Sequence, residues 1–226
     1  LADWTNVVEA AAYAALALLL IWPVTLQLNS RMVGTGDGEF YAWLGWRLAE
    51  LVRAGELPLA IPDAIYPDTY NVALGDGYGA YLVIAAWNLV ANPYLAVNLT
   101  VLTALFLNFL AGRRLGRVVA PDRRLVWMIT AVAFGTAPPL LLRAYGHYHL
   151  CFAFAAALIL AEGVLYAKNG QRLRVGRLGV LLAIAFGLSV YWFVSSFVAL
   201  AILVGTAAIR ERQLLRCSAR LACRGP

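Results

Sequence analysis

Two carboxylates, two histidines and one arginine stand out in this sequence because their types and spacing could carry acid–base or metal chemistry. Asp37 and Glu39 lie among glycines in GTGDGEFYAW, and Arg143, His147 and His149 lie together in RAYGHYHL. A carboxylate can act as a general base, and a pair of oxygen ligands suits a hard cation such as Mg²⁺ or Mn²⁺. Asp37 and Glu39 are therefore candidate catalytic residues, and candidate metal ligands if a metal is used.

Each of these residues also has a purely structural interpretation. Asp37 can cap a helix by accepting backbone N–H bonds, with Glu39 placed near the positive end of the helix dipole. His147 and His149 fit a loop better than one helix face, and two histidines alone do not define a zinc site. Arg143 can hold a phosphate through a bidentate contact or anchor its helix by snorkelling. Spacing alone leaves these alternatives open.

A further polar stretch, IYPDTYNVALGDGYG over residues 65–79, follows in the same part of the chain. It adds Asp68 and Asp76 among proline, glycine, asparagine and tyrosine residues. This composition favours turns over a continued helix.

The composition of the whole chain is that of a membrane protein. Of the 226 residues, 62% are hydrophobic and only 13% are charged, which is far from the composition of a soluble domain. The net charge of +6 comes mostly from arginines in short links between apolar runs, where membrane topology explains them without a nucleic-acid partner. The three cysteines are odd in number and form no CxxC pair, so we expect free thiols.

Apolar runs predict an all-α membrane protein with about six transmembrane helices. Residues 7–28 read as a retained first span, because acidic residues stand where a signal peptide carries basic ones. Runs long enough to cross once follow at residues 94–111, 125–142 and 150–167. The run at residues 178–209 is too long for one crossing, and we split it near residues 191–196.

The distribution of charged residues predicts on which side of the membrane each loop lies. The segments GRRLGRVVAPDRR and KNGQRLRVGR hold five and four basic residues, and the tail of residues 210–226 holds five more arginines, so all three are expected in the cytoplasm. Residues 29–80 carry seven acidic residues against three arginines and are expected outside. The short apolar run of residues 80–90 then cannot cross, and the external loop extends over residues 29–93.

An amphipathic helix is predicted within that loop at residues 38–55. Apolar residues recur at helical spacing, and charged residues take the other side. Its aromatic residues Tyr41, Trp43 and Trp46 suit the headgroup region of a bilayer. We expect this helix to lie in the interface plane and to hold Asp37 just above the lipid.

In order along the chain, GDGEFYAW, IYPDTYN, YLVIAAWNLVANPY and PPLLLRAYGHYHL resemble the N-terminal module of the GT-C superfamily of integral membrane glycosyltransferases. The resemblance covers roughly residues 7–209. We therefore expect residues 1–226 to form a single membrane-embedded module. In that family an acidic residue of the first external loop acts as base or metal ligand, which maps onto Asp37 with Glu39 adjacent. The second external loop often supplies another acidic residue, and His147 or His149 takes that place here.

The resemblance implies a membrane glycosyltransferase of the cell envelope that uses a polyprenyl-phosphate sugar donor, with its site on the external face of the plasma membrane. Tyr66, Asp68, Asn71 and Arg143 are then the substrate-binding candidates. Mg²⁺ or Mn²⁺ is the expected cofactor if one is used, and other proteins can complete the site. The alternatives are a noncatalytic GT-C-like subunit of a larger complex and, with less support, a transporter, whose polar groups would lie near the bilayer midplane.

Overall fold

The structure is a computed structural model that describes residues 4–34, 36–65, 68–169 and 174–222, and the chain there is almost entirely helical. Its helices are α1 (Trp4–Leu20), α2 (Asp37–Arg53), α3 (Tyr78–Asn88), α4 (Pro93–Val119), α5 (Arg124–Gly135), α6 (Pro138–Arg143), α7 (Phe154–Asn169), α8 (Val175–Leu188) and α9 (Val190–Ala222). Short 3-10 turns lie at Val24–Gln27, Val72–Leu74 and Tyr148–Cys151. The predominantly helical fold agrees with the prediction from composition.

One short hairpin departs from the all-α prediction. Strands β1 (Ile61–Ile65) and β2 (Asp68–Tyr70) pair antiparallel, with Ile61 opposite Tyr70. The sequence here has prolines at positions 62 and 67, which disfavour a helix because proline lacks the backbone N–H. Pairing between the strands satisfies backbone groups that a helix would otherwise satisfy within itself.

Four helical stretches of the described residues are long and apolar enough to cross a membrane. They are Pro93–Val119, Arg124–Arg143, Tyr148–Lys168 and Val190–Arg210. Two shorter apolar helices, α1 with 17 residues and α8 with 14, occupy the places of the first and fifth predicted spans. At 1.5 Å per residue they are roughly 26 and 21 Å long, below the typical hydrocarbon thickness of about 30 Å. Six crossings therefore stay a prediction.

Two breaks in the helices have visible causes. Helix α5 ends at Gly135, and α6 begins at Pro138, where a proline is tolerated because the first helical N–H needs no partner. Helices α8 and α9 are separated at Ser189, whose backbone is extended. The predicted division of the long apolar run near residues 191–196 is therefore nearly correct.

Helix α2 packs through part of its apolar surface and exposes the rest. Leu44 and Leu48 are fully buried against α3 and the hairpin. Gly45 allows close approach, because a Cβ there would lie 2.3 Å from the Ile84 Cγ2 of α3. Trp43 and Trp46 stay 36% and 39% exposed. The helix predicted at residues 38–55 is thus present, with Trp43 and Trp46 outside the protein core, whereas Tyr41 packs against the core and lines the cavity described below.

Ion pairs tie the helices together at the end of the bundle that carries the basic loops. Glu9 of α1 is buried and pairs with Arg113 of α4 and Arg124 of α5. Glu162 of α7 is also buried and lies 3.2 Å from the Arg177 guanidinium of α8. These carboxylates have basic partners, as buried charges require.

Candidate functional site

A cavity of about 700 Å³ lies where the start of α2, the start of α3, the end of α6 and the start of α9 meet. Its lining is rich in aromatic and ionisable side chains: Phe40, Tyr41, Asp76, Tyr81, Pro139, Leu140, Arg143, His147, His149, Leu150, Tyr191, Trp192 and Ser195. Three of the residues proposed from sequence, Arg143, His147 and His149, therefore share one cavity. Such a mainly apolar pocket with a few convergent polar groups is the usual form of a small-molecule site.

Asp37 stands beside this cavity and pairs with His147. Its Oδ2 lies 3.7 Å from His147 Nε2, and its side chain is 67% exposed. Helix α2 begins at Asp37, and the residue in the capping position is Gly36, with φ of +64°. The capping interpretation of Asp37 is therefore wrong, because Asp37 is already the first helical residue. Its carboxylate remains accessible to a substrate.

A second carboxylate–imidazole pair lies deeper, between His149 and Asp76. The His149 side chain is only 8% exposed, and its Nε2 lies 3.3 Å from Asp76 Oδ2. Among the described residues the buried His149 Nδ1 has no hydrogen-bond partner. Gly77 makes this depth possible, because it adopts φ of +85° and a Cβ there would lie 2.6 Å from His149 Cβ.

Asp76 belongs to the polar stretch after the amphipathic helix, where the sequence pattern alone does not single it out as a site residue. It also accepts a hydrogen bond of 2.8 Å from the Val190 backbone N–H to Oδ1. That N–H belongs to the first residue of α9, so one carboxylate both caps α9 and contacts His149. The flanking glycines, Gly75 and Gly77, are the one feature of the sequence that could have marked Asp76 as a candidate site residue. Its partners His149 and Val190 lie far away in the sequence, so the sequence pattern does not reveal them.

Helix α9 contributes a wall that sequence reasoning also missed. Tyr191, Trp192 and Ser195 line the cavity, and Trp192 Nε1 donates a 3.0 Å hydrogen bond to the Leu150 carbonyl. From sequence, YWFVSS marks only a place to divide an apolar run. The tyrosine and tryptophan of this segment, which are typical of a membrane interface, are the sequence feature that could have assigned the start of α9 to the site.

Arg143, the last residue of α6, brings a cation to the cavity. It is exposed, and within the described residues its guanidinium has no carboxylate partner. An arginine in this state is suited to a phosphate, which it can contact through two parallel hydrogen bonds.

Buried polar side chains hold the loops that carry these groups. Asn98 of α4 donates to the carbonyls of Leu28 at 2.9 Å and Arg31 at 2.7 Å, and it accepts from the Val33 N–H at 2.9 Å. Asn98 also begins an Asn-Leu-Thr sequence of the glycosylation type, but it is fully buried within its helix. Its role in the structure is to fix the segment that leads into α2.

The histidine segment is fixed in the same way. Asn108 donates a 2.7 Å hydrogen bond to the Cys151 carbonyl, and the buried Tyr148 hydroxyl donates to the Val33 carbonyl. Gly34 adopts φ of +91°, and a Cβ there would lie 2.5 Å from the Tyr145 carbonyl oxygen. The two loops therefore touch backbone to backbone, and this contact places Asp37 beside His147.

Glu39 is not part of this cavity. It lines a second cavity of about 830 Å³ on another side of α2, together with Arg31. The described residues contain no group of three or more histidine, cysteine, aspartate or glutamate side chains that could hold a metal ion. Asp37 pairs with His147 while Glu39 lines the second cavity, and a shared Mg²⁺ or Mn²⁺ site at these two residues stays a prediction.

The remaining substrate-binding candidates lie in or beside the hairpin. Tyr66 falls outside the described residues, and Asp68 is described only by its backbone in β2. Asn71 is exposed and lies just before the turn Val72–Leu74. Among the described residues that line the cavity, Asn71 is not present. The assignment of these three residues to a substrate stays a prediction.

Comparison with known protein families assigns the chain to one of them. Residues 9–224 match the model of a family described as Domain of unknown function (DUF6311). No curated protein and no solved structure matches the chain.

Proposed function

Because the chain belongs to the DUF6311 family, a family of unknown function, we propose its activity from the geometry of the site: it is a membrane glycosyltransferase, or the N-terminal module of one. It transfers a sugar from a polyprenyl-phosphate donor to an acceptor on the external face of the plasma membrane. One observation carries the proposal: Arg143, His147 and the His149–Asp76 pair line one cavity, and Asp37 lies 3.7 Å from His147 at its side.

The position of the cavity supports a lipid-linked donor. Helices α5 and α6 together run from Arg124 in a basic loop to Arg143 at the cavity, and α9 runs from Val190 at the cavity towards the arginine-rich tail. The cavity thus lies at the end of the bundle away from the basic loops, which are cytoplasmic by the positive-inside rule. A donor whose tail lies in the bilayer presents its sugar phosphate at this height.

The reaction needs a base and a group that offsets negative charge. Asp37 takes the proton of the acceptor hydroxyl as that oxygen forms a bond to the anomeric carbon of the sugar. The bond from this carbon to the phosphate oxygen breaks, and its electron pair leaves with polyprenyl phosphate. His147, 3.7 Å from Asp37, orients the carboxylate, and Arg143 offsets the charge on the departing phosphate.

Asp37→Asn tests the proposal. The substitution removes the basic oxygen, and it keeps the helix because Gly36 and not Asp37 occupies the capping position. The rate of transfer should fall roughly 10²-fold or more. Donor turnover is followed by chromatography of the lipid fraction with a panel of polyprenyl-phosphate hexoses and pentoses. Asp122→Asn, an exposed aspartate in the loop between α4 and α5, is the matched control and should retain full activity.

Two results would contradict the proposal in different ways. Full activity in Asp37→Asn would remove Asp37 from the chemistry. No turnover by the wild-type protein with any donor of the panel would favour the noncatalytic subunit.

A further inference from the structure

The second cavity has the features of a binding site in its own right. It lies between α2, the segment after α1 and the start of α4, and it measures about 830 Å³. Its lining includes Arg31 and Met32 from the segment before α2, Trp43 and Trp46 of α2, and Tyr94 at the start of α4. The start of α4 belongs to the end of the bundle away from the basic loops, so both cavities face the same side.

The cavity lining contains one charge of each sign, Arg31 and Glu39. Arg31 and Glu39 are both exposed. Within the described residues neither side chain has an ion-pair partner, and they do not pair with each other. A simple anion would be attracted by Arg31 and repelled by Glu39, and a simple cation would meet the opposite arrangement. A ligand that carries both charges matches the cavity.

Aromatic side chains complete the lining. Trp43, Trp46 and Tyr94 are 36%, 39% and 50% exposed. Tryptophan and tyrosine are enriched at the membrane–water interface because their rings are apolar and carry a polar group, and a ring face also attracts an ammonium group. These properties favour a ligand from the lipid headgroup layer over a soluble zwitterion.

We propose that this cavity binds the headgroup of a zwitterionic aminophospholipid. Arg31 contacts the phosphate diester, and Glu39 accepts hydrogen bonds from the primary ammonium, which also lies against a tryptophan ring. The acyl chains stay in the bilayer beside α2. Glycosyl transfer is not needed for this binding, so the two proposals stand or fall separately.

Competition among lipids tests the proposal directly. Purified protein in detergent is mixed with equal amounts of dioleoyl phosphatidylethanolamine, phosphatidylglycerol and phosphatidylcholine, and retained lipid is identified by native mass spectrometry. Phosphatidylethanolamine should be retained about fivefold better than the other two, because only it satisfies Arg31 and also donates hydrogen bonds to Glu39. This measurement needs no variant.

Two substitutions separate the contributions of the charges. Arg31→Gln should lower phosphatidylethanolamine retention about fivefold, and Glu39→Gln should remove its advantage over phosphatidylglycerol. The controls are Arg123→Gln and Glu56→Gln, which change exposed charges outside the cavity and should behave as wild type. Equal retention of the three lipids by the wild-type protein would overturn the proposal. Unchanged selectivity in both cavity variants would overturn it as well.

Discussion

At the scale of single residues, the two carboxylate–imidazole pairs differ in burial. Asp37 and His147 are accessible, with side-chain exposures of 67% and 38%, so they can meet a substrate. His149 is nearly enclosed and contacts Asp76, which makes the inner pair better suited to positioning. Asp76 is the residue through which the inner pair and α9 are connected.

Asp76→Asn separates these two roles, given the proposed glycosyl transfer. The amide oxygen can still accept the Val190 N–H, while the amide NH₂ then faces His149 Nε2 and forces the other imidazole tautomer. We expect the transfer rate to fall about 10-fold or more with little change in melting temperature. Turnover and circular dichroism melting of the same preparation measure both.

Asp76→Ala is the companion variant. It removes the cap of α9 as well, so it should also lose about 0.5–2 kcal/mol of the free energy of unfolding. Wild-type turnover in Asp76→Asn would show that the inner pair does not position the site.

At the scale of elements, α2 is held by close packing on one side and by hydrogen-bonded loops at its start. The contact with α3 depends on Gly45, where a Cβ would lie 2.3 Å from Ile84 Cγ2. The start of the helix depends on Asn98, which binds the backbone of the preceding segment at three points. Both contacts are needed to place the first turn of α2 beside the histidines.

Gly45→Ala should therefore lower the free energy of unfolding by about 1–3 kcal/mol, because the added methyl group overpacks the contact between α2 and α3. Chemical or thermal unfolding in detergent micelles, followed by helical circular dichroism, measures the change. Gly179→Ala is the matched control in α8, where a Cβ meets no atom within 4 Å. There the substitution should be neutral or stabilising by up to about 1 kcal/mol. Equal stability of the two variants would count against the close α2–α3 contact.

At the scale of the whole molecule, the ends of the helix bundle differ in chemistry. One end carries the buried Glu9 carboxylate, paired with Arg113 and Arg124 beside the basic loops. The other end carries both cavities and the exposed aromatic residues of α2. The predicted orientation, with the basic loops in the cytoplasm, would place both cavities on the external side.

Thiol labelling of intact cells tests this orientation. In a background without the natural cysteines, Val90→Cys should react with a membrane-impermeant maleimide from outside, because Val90 is 80% exposed in the predicted external loop. Asp122→Cys, between α4 and α5, should react only after permeabilisation. In the wild-type protein, Cys217 and Cys223 are likewise expected to be protected in intact cells. The reverse pattern would invert the topology and place the cavity in the cytoplasm.

Sequence alone was sufficient for features that depend on local patterns. Apolar runs predicted the order of the long helices, and the amphipathic spacing predicted α2. These predictions succeeded because the side-chain period acts over a few residues.

The tertiary structure decided which polar residues belong together. Asp37 and Glu39 are close in sequence, but Asp37 contacts His147 and Glu39 lines the second cavity, because residues two positions apart on a helix point in different directions. Asp76 and the first turn of α9 join the histidine site through contacts between segments far apart in the chain. Such contacts leave no periodic signal in the sequence, since they arise from the packing of whole helices.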